Sequence, residues 1–123
     1  MRDGYPRGGY IGKLLRVDLS SGKTSDETID QDLLHQYIGG AGLGMRLLYR
    51  ESEPGTDPCA PGNKIILVSG PLTGTLVPGS GTISVVSRNS LTGFAAVSQS
   101  NGFFGARLKY AGYDGVIIQG RSE

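Results

Sequence analysis

Three stretches of this 123-residue chain place glycine where a backbone could close on an anionic ligand. Gly39-Gly40-Ala41-Gly42-Leu43-Gly44 runs into a helical pattern, and Gly22-Lys23-Thr24 imitates the end of a phosphate loop. Gln99-Ser100-Asn101-Gly102 stands ahead of a helix that begins near Phe103. The first stretch lacks the dinucleotide fingerprint spacing and no strand leads directly into it, so it reads as a helix–helix hinge ahead of the alternative, a phosphate cradle. The second has Val17 where a phosphate loop needs glycine, and it reads as a hairpin turn. The third keeps two readings. A helix start carries unpaired N–H groups and the positive end of the peptide dipoles, which favour an anion, and Gly102 would let the backbone approach one. Equally, Ser100 or Asn101 would simply cap the helix.

Other chemistry is excluded by count. Cys59 is the sole cysteine, in a proline- and glycine-rich loop, so one chain forms neither a disulfide nor a four-thiolate cluster. His35 is the sole histidine and lies inside a helical pattern. No His/Cys metal site follows from that set, and no nucleophile–histidine–acid triad suggests a hydrolase. A net charge of +1 with scattered lysines and arginines argues against nucleic acid as a partner. No apolar run reaches the roughly 18 residues of a membrane span. Arg2, Asp3 and Arg7 break the apolar core that a secretory leader would need, so a cytoplasmic location is expected.

Residues 1–9 are polar and glycine-rich and read as a flexible lead-in to a domain over 10–123. Ile11–Leu19 and Lys23–Ile29 form a hairpin with one exposed edge, joined by Ser20-Ser21-Gly22-Lys23. Thr28–Gln31 fits a capping box, with Asp30 as a competing cap. Leu33, Leu34, Tyr37 and Ile38 follow at helical spacing until Gly39-Gly40. Ala41–Glu51 is a second helix with Leu43, Leu47 and Leu48 on one face and Arg46 and Arg50 on another. Lys64–Val68 reads as a buried central strand. Thr82–Ser87 reads as a half-buried strand with Ile83 and Val85 inward, and Phe94–Ser98 as its return. A third helix over Phe103–Ala111 puts Phe104, Leu108 and Ala111 on one face, with Gly112 as terminator, and Val116–Gln119 is the last strand. The order predicts an α+β fold: a mainly antiparallel sheet with about three short helices.

Four stretches together carry a resemblance. They are Gly9-Tyr10 through Leu19, Gly70-Pro71-Leu72-Thr73-Gly74-Thr75, Ser90-Leu91-Thr92-Gly93-Phe94, and Gly102 through Asp114. The chain resembles the amino-terminal domain of the tungsten-containing aldehyde:ferredoxin oxidoreductases from about Tyr10 onward, with element order and loop lengths in register. The resemblance implies the first part of a duplicated domain on which a tungsten bis-molybdopterin cofactor lies, with magnesium joining the pterin phosphates. It implies that Gln99, Ser100, Asn101 and Gly102 contact the pterin, that the Gln99 main-chain carbonyl binds the magnesium, and that Pro71, Leu72, Thr73 and Gly74 form the turn beneath. The position of Thr82 is an arginine in the family, between pterin and iron–sulfur cluster. Threonine has neither that reach nor that charge, and Arg88, six residues on, does not by spacing replace it.

The family's cluster cysteines and metal-proximal acids and histidines belong to later domains. The resemblance therefore implies a shortened chain or a separately encoded piece of a split enzyme, inactive alone and with no cofactor of its own. The parent reaction would turn an aldehyde into a carboxylate, with electrons passing through a 4Fe–4S cluster in the missing domains to ferredoxin. The alternatives are a non-catalytic assembly or interaction module, or the corresponding piece of a related tungsten enzyme with another substrate. The remaining domains or a larger subunit are the expected partners. Uncovered apolar surface and open edges at Lys64–Val68 and Val116–Gln119 would also allow a homodimer.

Overall fold

The turn cluster at Ser20–Gly22 closes β1 (Lys13–Asp18) on β2 (Lys23–Thr28) as an antiparallel hairpin. The computed structural model describes residues 8–122, so the lead-in expected over 1–9 lies outside the described residues up to position 7. Next come α1 (Gln31–Tyr37), α2 (Gly40–Glu51), β3 (Lys64–Ser69), β4 (Ile83–Arg88), β5 (Ala95–Ser100), α3 (Phe104–Tyr110) and β6 (Gly115–Gln119). Of the two caps offered for α1, Asp30 wins, its side chain accepting from Asp32 N at 3.0 Å.

The six strands make one sheet in the order β2-β1-β6-β3-β4-β5. Every pairing is antiparallel except β1 with β6. β3 and β6 are therefore central strands. The expectation that Lys64–Val68 and Val116–Gln119 leave open edges is wrong, because each is paired on both sides. The edges are β2, whose Lys23, Asp26 and Glu27 guard it with charge, and β5, whose sequence AAVSQS carries none.

Directly paired residues share a sheet face. The registers put Leu14, Ile66, Val68, Val86 and Ile117 on the face that α2 covers, where all five are buried. Leu34 from α1 and Leu43, Leu47 and Leu48 from α2 complete this core. Each such side chain contributes about 1.5–3 kcal/mol by leaving water. Helix and sheet meet closely because position 44 has no side chain: a Cβ there would lie 2.7 Å from Val86 Cγ2. Ile83 and Val85 share one face of β4 as expected, the face away from α2, and Ile83 is buried there. Ser84 and Val86 are the residues under α2, while Val85 is only half-buried.

On the opposite face Leu15, Val17, Leu67, Val85 and Ile118 are half-buried and Ile65 is 46% exposed. That surface is apolar and partly open to solvent.

Arg16 ties the end of the hairpin to α2. It donates from Nε to Glu27 and from Nη2 to both oxygens of Glu51 (2.9 and 3.0 Å). The hydrogen bond from Arg16 is the main reason the Glu27 carboxyl sits below its ordinary value of 4.5. A depressed carboxyl stabilises the fold above its unfolded value, and the gain disappears as pH falls through the folded one. Glu27→Gln should cost about 1 kcal/mol or less at pH 7, given its partial exposure. The difference from the parent protein should close on acidification well below pH 4.5, as read by thermal melts.

Candidate functional site

At the end of the sheet where β4 begins and β5 finishes, the loop between β3 and β4 divides two grooves. Thr73 closes this loop on itself. Its buried hydroxyl accepts from Gly70 N (3.2 Å) and donates to the Thr82 carbonyl (3.3 Å), which joins both ends of the loop. The first groove, about 490 Å³, is lined by Ile38–Gly42, Gly70–Thr73, Gly79, Ser80, Thr82, Ser84 and Gln99. The second, about 480 Å³, is lined by Gly74, Thr75, Val77, Gly79–Gly81, Gly102, Phe103, Ala106, Arg107 and Tyr110. Gly79 and Ser80 stand between them.

The resemblance-derived residues divide between these grooves. Gln99, Thr82, Pro71, Leu72 and Thr73 lie on the first, and Gly74 and Gly102 on the second. Ser100 and Asn101 are exposed and join the two. The Thr82 hydroxyl donates to Asn101 Oδ1, so the short side chain at 82, where it lines the first groove, also ties the start of β4 to the β5–α3 junction. Arg88 is the last residue of β4, not beyond the strand, and points its donors at the Gly93 and Glu53 carbonyls. It stands roughly 20 Å from Thr82 at about 3.3 Å per residue.

Neither Ser100 nor Asn101 caps α3. The cap is Phe103, which makes no side-chain hydrogen bond. At seven residues α3 brings only a modest dipole, so backbone shape matters more here than helix charge. Gly102 has φ +138, which L side chains rarely adopt, and a Cβ there would meet nothing within 4 Å. Packing does not demand a glycine at that position; the backbone turn does, and the space beside it is open. Gln99 lies on the β5 edge opposite Ser84. The hairpin begins with Asn89 N donating to the Phe94 carbonyl. Antiparallel alternation from that bond makes 84–99 a non-hydrogen-bonded pair, which turns the Gln99 carbonyl toward the open edge.

Sequence reasoning missed three features of these grooves. Gly39–Gly42, read as a hinge ahead of a phosphate cradle, lines the first groove together with Gln99. Ile38, read as a helix position, has φ +60 and ψ −59, and Gly39 N donates to the Tyr37 carbonyl across it at 2.6 Å. This is a γ-turn of the strained hand. A β-branched residue held there stores roughly 1–3 kcal/mol, and the Tyr10 hydroxyl braces it by donating to the Ile38 carbonyl (2.6 Å). Burial, then the nearby Asp114 charge, raises the Tyr10 phenol above its ordinary value, which keeps that donor protonated. Third, Arg107 supplies the one charge among the described residues lining the second groove. Its signal was present as a stripe at 103, 106, 107 and 110, the spacing of one helix face.

α3 itself sits differently from expectation. Its buried residues are Gly105 and Lys109, whereas Phe104 is 55% exposed and Ala111 is exposed. A Cβ at 105 would fall 2.9 Å from Thr73 Cγ2, so the glycine face is the one that fits against the loop.

Among the described residues no charged side chain lines the first groove. Among the described residues no group of three or more His, Cys, Asp or Glu side chains could hold a metal. The grooves offer backbone carbonyls and amides, hydroxyls and one guanidinium. Such surfaces suit the orientation of a flat polar ligand. No helix among the described residues is long and apolar enough to cross a membrane.

Known proteins resemble this chain over nearly its whole length. The family model described as "Aldehyde ferredoxin oxidoreductase, N-terminal domain" matches residues 14–123. A tungsten-containing aldehyde ferredoxin oxidoreductase of Pyrococcus horikoshii is 43% identical over 115 residues, covering 94% of this chain and 19% of that protein. From Pyrococcus furiosus, an "Aliphatic sulfonate oxidoreductase, WOR-like subunit" is 38% identical over 117 residues, with 93% and 18% covered. Among solved structures, the active site complex BamBC of benzoyl coenzyme A reductase, in complex with 1,5-dienoyl-CoA, superposes with a TM-score of 0.91 at 33% identity. That likeness covers 95% of this chain and 18% of the other. The chain thus spans about a fifth of the length of these relatives.

Proposed function

Because the chain belongs to the aldehyde ferredoxin oxidoreductase family through its N-terminal domain, we propose that it is the part of a tungstopterin oxidoreductase on which the cofactor lies. The observation that carries the reading is the family match, which runs unbroken through every segment of both grooves. The grooves suit such a ligand on physical grounds. They are lined mainly by backbone and hydroxyl groups, with an outward carbonyl at Gln99, open space at Gly102 and a cation at Arg107. The bound tungsten–pterin would supply the redox chemistry. This chain would orient it: Gln99 through its carbonyl toward magnesium, and Asn101, Gly102 and the Pro71–Gly74 turn by contact with the pterin.

In the complete protein the reaction would take an aldehyde to a carboxylate, with electrons leaving through a 4Fe–4S cluster in other domains to ferredoxin, in the cytoplasm. A related tungsten enzyme with a different substrate is the second reading, and Thr82 favours it. The electron path that the family routes past an arginine here meets a hydroxyl already bonded to Asn101. The similarity to a benzoyl coenzyme A reductase complex and to an aliphatic sulfonate oxidoreductase subunit supports that second reading. The half-open apolar sheet face suits cover by the remaining domains, a larger subunit or a second copy.

Elemental and pterin analysis of the complete, anaerobically purified protein tests the reading. Stoichiometric tungsten with pterin is expected, and the 123-residue chain by itself should hold neither and oxidise no aldehyde. A complete protein without pterin, or tight stoichiometric tungsten in the monomeric chain, would refute it.

A further inference from the structure

A second cavity lies at the far end of β5 from Gly102, between the C-terminal half of α2 and the β4–β5 hairpin. It encloses about 600 Å³, within the range of small-molecule sites. Its wall is mostly apolar, from Met45, Leu48, Tyr49, Pro54 and Ala95. Three arginines, Arg46, Arg50 and Arg88, share that wall, and among the described residues no Asp or Glu does.

The three cations are in different states. Arg88 is held by the carbonyls of Glu53 and Gly93, which fix its position without neutralising its charge. Arg50 reaches Glu51 at 3.5 Å, but that carboxylate is already engaged by Arg16 at 2.9 Å. Arg46 is the unusual one. Its Nε is buried without a hydrogen-bond partner among the described residues. Its guanidinium lies 5.9 Å from the Tyr37 ring centroid and 5.8 Å from that of Tyr49. Two tyrosines against the guanidinium leave its edge, where the N–H groups project, as the direction open to a ligand. Three positive charges in a mostly apolar wall raise the local attraction for an anion.

We propose that this cavity binds a small organic carboxylate, with the carboxylate on the edge of Arg46 and its apolar body against Met45, Leu48 and Pro54. A planar carboxylate matches the guanidinium fork with two parallel hydrogen bonds. The apolar remainder of the wall suits a monoanion with a hydrocarbon or aromatic body. The site would act apart from the cofactor grooves. Ala95 and Ser100 stand at opposite ends of β5, roughly 17 Å apart at about 3.3 Å per residue.

Benzoate and its neutral isostere benzamide are the probes, titrated calorimetrically into the complete protein, the Arg46→Gln variant and a Met45→Trp variant. Saturable benzoate binding is expected, with benzamide weaker by about tenfold or more, as loss of a charge-assisted hydrogen bond implies. Arg46→Gln should weaken benzoate by a similar factor while leaving metal content unchanged. Met45→Trp, which keeps every charge but fills the apolar wall, should weaken both probes. Absence of saturable benzoate binding, equal binding of benzamide, or benzoate affinity unaltered by Arg46→Gln would each overturn the proposal.

Discussion

Asp114→Ala should destabilise the fold by about 3–5 kcal/mol, the loss expected when one partner of a buried ion pair is removed. Asp114 and Lys109 meet at 2.6 Å with side chains only 3% and 5% exposed. The carboxylate also accepts from Ile11 N (2.9 Å) and Gly12 N (2.6 Å), which holds the start of β1 against the α3–β6 connection. Lys109 in turn donates to the Gly9 carbonyl and lies 5.7 Å from the Tyr10 ring centroid. Alanine at 114 would strand a buried ammonium and orphan two amides at once. Since a domain's whole stability is only about 5–15 kcal/mol, urea unfolding should show a large midpoint shift. The double variant Asp114→Ala, Lys109→Met removes the stranded charge as well and should recover part of the loss. A double variant no more stable than the single one would contradict this account of the pair.

That pair also marks where sequence reasoning stopped. Aliphatic periodicity gave the hairpin, the two helices after it and the aliphatic runs that became β3 and β6, because each follows a simple burial rule. α3 does not. Its inward side holds a glycine and a lysine, and only the distant Asp114 makes the lysine burial possible. Strand order was equally hidden, since β6 returns from the end of the chain to lie between β1 and β3. The resemblance singled out 70–74 and 99–102, and these stretches lie along or between the two grooves. The turn at Ile38 was not legible, because isoleucine gives no signal for a positive φ and tertiary bracing by Tyr10 holds it.

Gly102→Val should empty the cofactor site of the complete protein. The substitution has two effects, and they must be separated. At φ +138 any L side chain is strained by roughly 1–3 kcal/mol, and the valine branches would occupy space that is open beside the second groove. Gly22→Val is the matched control. It lies in the β1–β2 turn at φ +67 and likewise has nothing within 4 Å of a Cβ, but lines neither groove. Both variants should lose similar stability, and only one should lose the ligand.

The deciding measurement is therefore the tungsten and pterin content per folded chain of these two variants beside the parent protein, with thermal melts confirming that each is folded. The platform role predicts loss of most metal and pterin in Gly102→Val and retention of both in Gly22→Val. Full metal and pterin in folded Gly102→Val, or equal loss in both variants, would contradict it.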